Sequence, residues 1–269
     1  MFKILFSPKR AQRHPLEMML IGTFYSSISI LVGALLFSEY SSIVMIFLTV
    51  LPCVYVIQGA LKIEEERDKN YESEARLLKK HSKLIILLLF LFIGFVFSFI
   101  FWTIVLPNEK VSHLFKLQES VVDGIKKNII TGNFVSADSI LFKIILNNSK
   151  VLLLSLILAF FYGAGAIFIL VWNASVMGFV IGNLTKTSLG IVGLPVAFTK
   201  YFIHGIPEML SYLIAAFAGG IIYTAIWRGD LFNKEKNKRI ILDVITLILI
   251  SFFLLISAAL IEVYISPII

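Results

Sequence analysis

The stretch KYFIHGIPEML, Lys200 to Leu210, sets an imidazole and a carboxylate, His204 and Glu208, into a strongly apolar part of the chain. Ionisable groups near hydrocarbon are costly and mark functional sites by default. Pro207 suits the first turn of a helix, where its missing N–H leaves nothing unpaired, so the sequence puts a helix start near Ile206. His204 then lies just before that helix and Glu208 in its first turn, where the helix dipole favours a carboxylate by about 0.3–1 kcal/mol. Two uses follow. One is capping, with Glu208 accepting from backbone N–H groups or from His204. The other is a polar site in which His204, Glu208, Asn173 and Glu262 meet, suited to a proton- or ion-coupled path or to anchoring a partner's polar group.

Catalysis finds little support in the same residues. A zinc hydrolase of the H-E-x-x-H kind needs two histidines four apart with a glutamate beside the first, whereas His14, His81 and His113 all fall outside the apolar runs. G-x-S-x-G, Walker and dinucleotide-binding patterns are absent from the sequence. The expectation is a non-enzymatic protein with no catalytic residue, metal ion or cofactor.

The elements that must position these groups are membrane spans. Of 269 residues, 58% are hydrophobic and 15% charged, 24 are phenylalanine, and the mean hydropathy is +0.92. Several runs reach the roughly 20 apolar residues needed to cross a bilayer. The formal charge of +7 lies in short tracts beside these runs, without an aromatic–basic platform, so nucleic acid is not an expected partner. The single Cys53 excludes an internal disulfide framework.

Residues 16–37 and 41–61 read as a hairpin of two crossings, making 1–61 an N-terminal transmembrane unit. Residues 62–83, with seven Lys or Arg and six Asp or Glu, read as a charged cytoplasmic linker or helix. Residues 84–269 form the core. A third crossing, 84–106, ends at Pro107. An external segment, 108–147, follows, with apolar residues at approximate helical spacing and a short amphipathic helix from Ser136, its N-cap. Such pieces lie on the membrane surface or the bundle, or serve as a docking surface. Further crossings are expected at 151–171, 206–227 and 240–263. The basic tract 228–239 belongs inside by its five Lys or Arg against two acids, so one more crossing is needed from 173–201. Gly190, Gly193 and Pro195 interrupt that stretch, which makes it a discontinuous helix facing the bundle interior. The expected fold is all-α: a polytopic bundle of about seven crossings, one broken, with the N-terminus inside and the C-terminus outside.

Small residues recur at close-packing spacing: Ala159 with Gly163, Gly178 with Gly182, Ala215 with Gly219 and Ala216 with Gly220. They mark contacts within the chain or, in the alternative, a homo-oligomer seam. Asn147, Asn148 and Asn173 flank the 151–171 crossing, where amides can satisfy backbone groups freed at helix ends.

The paired Asn147-Asn148, Gly163 with Gly165, Asn173 before a glycine-spaced half-helix, His204-Gly205 with Glu208, and Glu262 before a terminal Ser-Pro together resemble the stage II sporulation protein M family of integral membrane proteins. The resemblance covers about Ser136 to the C-terminus, and the N-terminal hairpin and linker look like those of extended archaeal members. In spore formers the family member is a scaffold for peptidoglycan-remodelling enzymes, so the resemblance implies a multi-pass plasma-membrane scaffold or assembly factor that binds envelope proteins as well as the lipid bilayer. A role in sporulation itself is not carried over. The broken helix and buried polar cluster leave a second expectation: a small ion- or solute-transporting channel or transporter.

Overall fold

The computed structural model describes residues 15–37, 39–68, 77–130, 136–159, 164–229 and 234–269; Gly163 and part of the charged linker lie outside them. Nine α-helices make up the described fold: α1 Pro15–Leu36, α2 Ser41–Asp68, α3 Leu77–Val105, α4 Asn108–Leu114, α5 Lys116–Ile130, α6 Ala137–Leu158, α7 Ala164–Leu184, α8 Leu194–Arg228 and α9 Lys234–Leu260. No strand occurs among the described residues, as an all-α bundle requires. Six stretches have the length and apolarity to cross a membrane: 15–36, 82–105, 137–158, 165–189, 191–227 and 237–265; Ser41–Tyr55 of α2 is a shorter apolar stretch. The linker expected over 62–83 is in part the continuation of α2 and the beginning of α3.

Helix α3 is the axle of the bundle. Its Leu91, Phe92, Phe95, Val96 and Phe99 are fully buried, and α1 and α7 pack on it. Lipid tails are as apolar as the side chains, so the association of these helices rests on close fit. That fit comes from glycine. A methyl group at Gly94 would collide with the Met19 carbonyl oxygen, and one at Gly22 would lie 2.6 Å from the Leu91 carbonyl oxygen. On the other side of α3, a methyl at Gly178 would strike Phe99, and one at Gly182 would lie 2.6 Å from the Thr103 Cβ. Hydroxyls fasten the same seams: Thr23 Oγ1 donates to the Gly94 carbonyl at 3.0 Å, and the hydroxyls of Ser27 and Ser98 lie 2.9 Å apart. Gly219 of α8 meets α6 closely, its added methyl falling 2.8 Å from the Ala159 Cβ. Gly220, also expected to be a packing glycine, faces open space, because one residue along a helix rotates the contact face by roughly 100°.

The segment after α3 is tied into the bundle at the α4–α5 junction. Phe115 is fully buried, stacked on Phe179 of α7 at 5.5 Å and edge-on to Phe99 of α3 at 6.0 Å. Gln118 is also fully buried and donates through Nε2 to Ser175 Oγ at 3.0 Å. Ser42, at the head of α2, donates to the Leu114 carbonyl at 2.7 Å.

Two boundaries differ from expectation. The short helix at 136–146 and the first part of the crossing at 151–171 are instead one 22-residue helix, α6, while the last part of that crossing belongs to α7. Ser136 does cap α6, its side chain accepting from Ser139 N. The polar run Asn147–Lys150 does not interrupt it, and within that run Asn147 Nδ2 donates to Asn148 Oδ1 at 3.3 Å. The expected interruption within 173–201 is narrower than a broken half-span. Helix α7 is a full helix and closes with a π-helical turn, Thr185–Leu189; Gly190 follows at φ 68°, a left-handed value that favours glycine, and then a 3-10 turn, Ile191–Gly193.

Candidate functional site

Helix α8 begins at Leu194 with Pro195 in its first turn. The helix start expected at Ile206 is therefore twelve residues late, and His204 and Glu208 sit inside α8 rather than at its N-terminus. The dipole-capping role drops out with it. Both prolines carry the same positional signal, and an apolar sequence does not choose between them. Pro207 has no N–H, so the Ile203 carbonyl one turn back receives no helical hydrogen bond from it.

Within this turn the polar side chains find partners on the terminal part of the chain. His204 is buried, with Nδ1 3.0 Å from Ser266 Oγ and its ring edge-on to Tyr201 at 5.9 Å. The Tyr212 hydroxyl, four residues on from Glu208, donates to Glu208 Oε1 at 2.7 Å. The Glu208 backbone carbonyl accepts from Ser211 Oγ at 2.8 Å. After α9 the chain makes a π-helical turn, Ile261–Ile265, which carries Glu262. The turn packs against α8. Single π turns are frequent at functional sites because they re-aim side chains. On the same turn, the Tyr264 hydroxyl donates to Asp138 Oδ1 at 3.1 Å, joining it to the first turn of α6.

Of the residues singled out from the sequence, then, His204 and Glu208 stand one turn apart on α8, and Glu262 lies on the π turn that packs against that helix. The asparagines take other partners: Asn173 Nδ2 donates to the Ile169 carbonyl of its own helix at 2.8 Å, while Asn147 and Asn148 bond to each other on α6. Gly205 lets α8 lie against Met177 of α7, one turn from Asn173, and a methyl there would meet only the mobile end of that methionine. Gly165 lies against Leu158 across the break between α6 and α7. Sequence reasoning missed Tyr212 and Ser266. Tyr212 stands at the i+4 spacing from Glu208 that makes helical neighbours, so its role was within reach; no local signal marks Ser266. Among the described residues, no group of three or more His, Cys, Asp or Glu is placed to hold a metal ion.

The arrangement sets an imidazole, a carboxylate and two phenols on α8 against the turn after α9, which brings the Ser266 hydroxyl and carries a second carboxylate, Glu262. Chemically it can hold or share protons, or accept a cationic or donor group.

The family model described as stage II sporulation protein M matches residues 43–267. The chain belongs to that family. The match takes in α2 and the charged stretch after it, so the family pattern extends well ahead of Ser136, where the sequence resemblance began. This member of the stage II sporulation protein M family is 34% identical over 186 residues to an uncharacterized protein of Methanocaldococcus jannaschii, an alignment covering 68% of this chain and 93% of that protein. That likeness bears out the archaeal-type resemblance. No solved structure matches the chain. With the family and the apolar helices together, the stage II sporulation protein M family member is a multi-pass membrane protein.

Proposed function

We propose that this protein is a non-enzymatic scaffold or assembly factor of the plasma membrane, N-terminus inside and C-terminus outside, that binds other envelope membrane proteins. The observation that carries this reading is the setting of α5. Its base is held rigidly by Phe115 and Gln118, both fully buried, while Leu117 and Val121 on the same helix are each 40% exposed. A rigid element with an open apolar face is suited to partner binding, because little conformational freedom is lost on docking. The polar cluster fits the same reading as a stabilising joint: Tyr212 and Ser266 partner Glu208 and His204 within the chain. A seam between copies of the chain is a further use for small residues that face open space, such as Gly220.

A photo-crosslinking residue at Val121, compared with one at Phe142 of α6, which is 66% exposed, tests this in native membranes. Scaffolding is supported if the same envelope protein is recovered at 121 and not at 142. Lipid adducts alone at both positions would overturn it.

A second reading, transport, is favoured by one observation: two carboxylates, Glu208 and Glu262, lie within apolar spans. Ion or proton flux into vesicles carrying the purified protein, abolished by Glu208→Gln, would decide for it; equal flux from the natural and Glu208→Gln chains would exclude that cluster from transport.

A further inference from the structure

The connection from α7 to α8 is apolar and open. Leu189, Ile191, Val192 and Val196 are all exposed, Val192 to 92%, and no Asp or Glu occurs from Thr185 to Ile206. Connections that face water are normally polar, so this tip calls for an occupant.

Two contacts fix its depth. On the α7 side, Lys186 Nζ donates to the carbonyls of Leu106 and, at 3.4 Å, Thr103, tying the π turn to the end of α3. On the α8 side, Phe198 stacks on Phe97 with ring centroids 5.5 Å apart and planes 20° from parallel. Phe97 stands eight residues before Val105, which places it about 12 Å along the α3 axis from that end. Between Leu194 and Phe198 a helix advances only about 6 Å. Helix α8 therefore starts within the length of the apolar run of α3, short of its end. Phe97 is itself 43% exposed, so this stacking takes place on the perimeter of the bundle. The tip hangs beside that perimeter at hydrocarbon depth.

We propose that the α7–α8 connection is inserted into the bilayer, with Leu189, Ile191, Val192 and Val196 in contact with lipid acyl chains. Lys186 is held at the level of the end of α3 by its carbonyl partners. The connection thus serves as a membrane anchor of the fold.

The test uses the full chain with Cys53→Ala and Val192→Cys, reconstituted in phosphatidylcholine–phosphatidylglycerol vesicles and also kept in native membranes. Val192 is open enough for the substitution to leave the fold intact, and Phe101→Cys, on a 54% exposed position of α3, supplies the lipid-facing reference. An environment-sensitive label at 192 should lose fluorescence to acyl-chain doxyl lipids as strongly as one at 101. In native membranes, position 192 should also resist a water-soluble maleimide that modifies Ser112→Cys. Free aqueous labelling without doxyl quenching would overturn the proposal. So would a site in native membranes closed to both reagents, since a protein would then be the occupant.

Discussion

Two seams of the bundle are built on opposite principles. Where α3 meets α1 and α7, backbones approach so closely that Gly22, Gly94, Gly178 and Gly182 have no room for even a methyl group. Where α8 meets the turn after α9, polar side chains join the contact, with His204 Nδ1 3.0 Å from Ser266 Oγ and Glu208 held by Tyr212. The first seam gathers many small dispersion contacts that have one correct geometry. The second concentrates on a few groups that are expensive to desolvate and are held by hydroxyl partners. The lesson is that shape fixes the frame here, and that chemistry is confined to one corner of it.

Substitutions separate the two seams. Gly94→Leu should be the most damaging, at about 3 kcal/mol or more, because the new side chain meets backbone that cannot yield. Reversible unfolding in mixed micelles measures it, and a loss below that of Tyr212→Phe would undo the ranking of shape over chemistry. Gly219→Ala, with the Leu156 carbonyl and the Ala159 Cβ in its way, should cost about 1–3 kcal/mol by the same assay. Tyr212→Phe removes one hydrogen bond to Glu208 and should cost about 1–2 kcal/mol, near the upper end for such bonds in membranes; a neutral result would show that water or another group takes over that carboxylate oxygen. Gly220→Ala is the control. It adds a methyl to open space and should be neutral or stabilising by up to about 1 kcal/mol through helix propensity. A loss there in membranes but not in dilute micelles would reveal a seam between copies of the chain.

Hydropathy was a good guide to part of this fold. The extents of α1 and α3 and most of α9 follow from apolar runs bounded by charge or by Pro107. It failed at the breaks that lie inside apolar sequence. No charge separates α6 from α7, so hydropathy alone does not end one helix and begin the next, although Gly165 sits where two backbones approach closely. The start of α8 failed for a related reason, with Pro195 and Pro207 both eligible and only packing able to choose. The polar site was half legible. His204, Glu208 and Glu262 stand out because charge is rare in lipid, whereas Ser266 acquires its role only when the end of α9 folds back against α8. Asn173 stood out equally and turned inward to its own helix, as Asn and Ser commonly do where no water competes.

The latch at the foot of α5 carries a mechanical implication. Because Gln118 grips Ser175 and Phe115 is wedged between Phe99 and Phe179, a load applied to α5 arrives at α3 and α7 without first crossing a slack loop. The helix acts as a lever whose fulcrum is an amide and a ring.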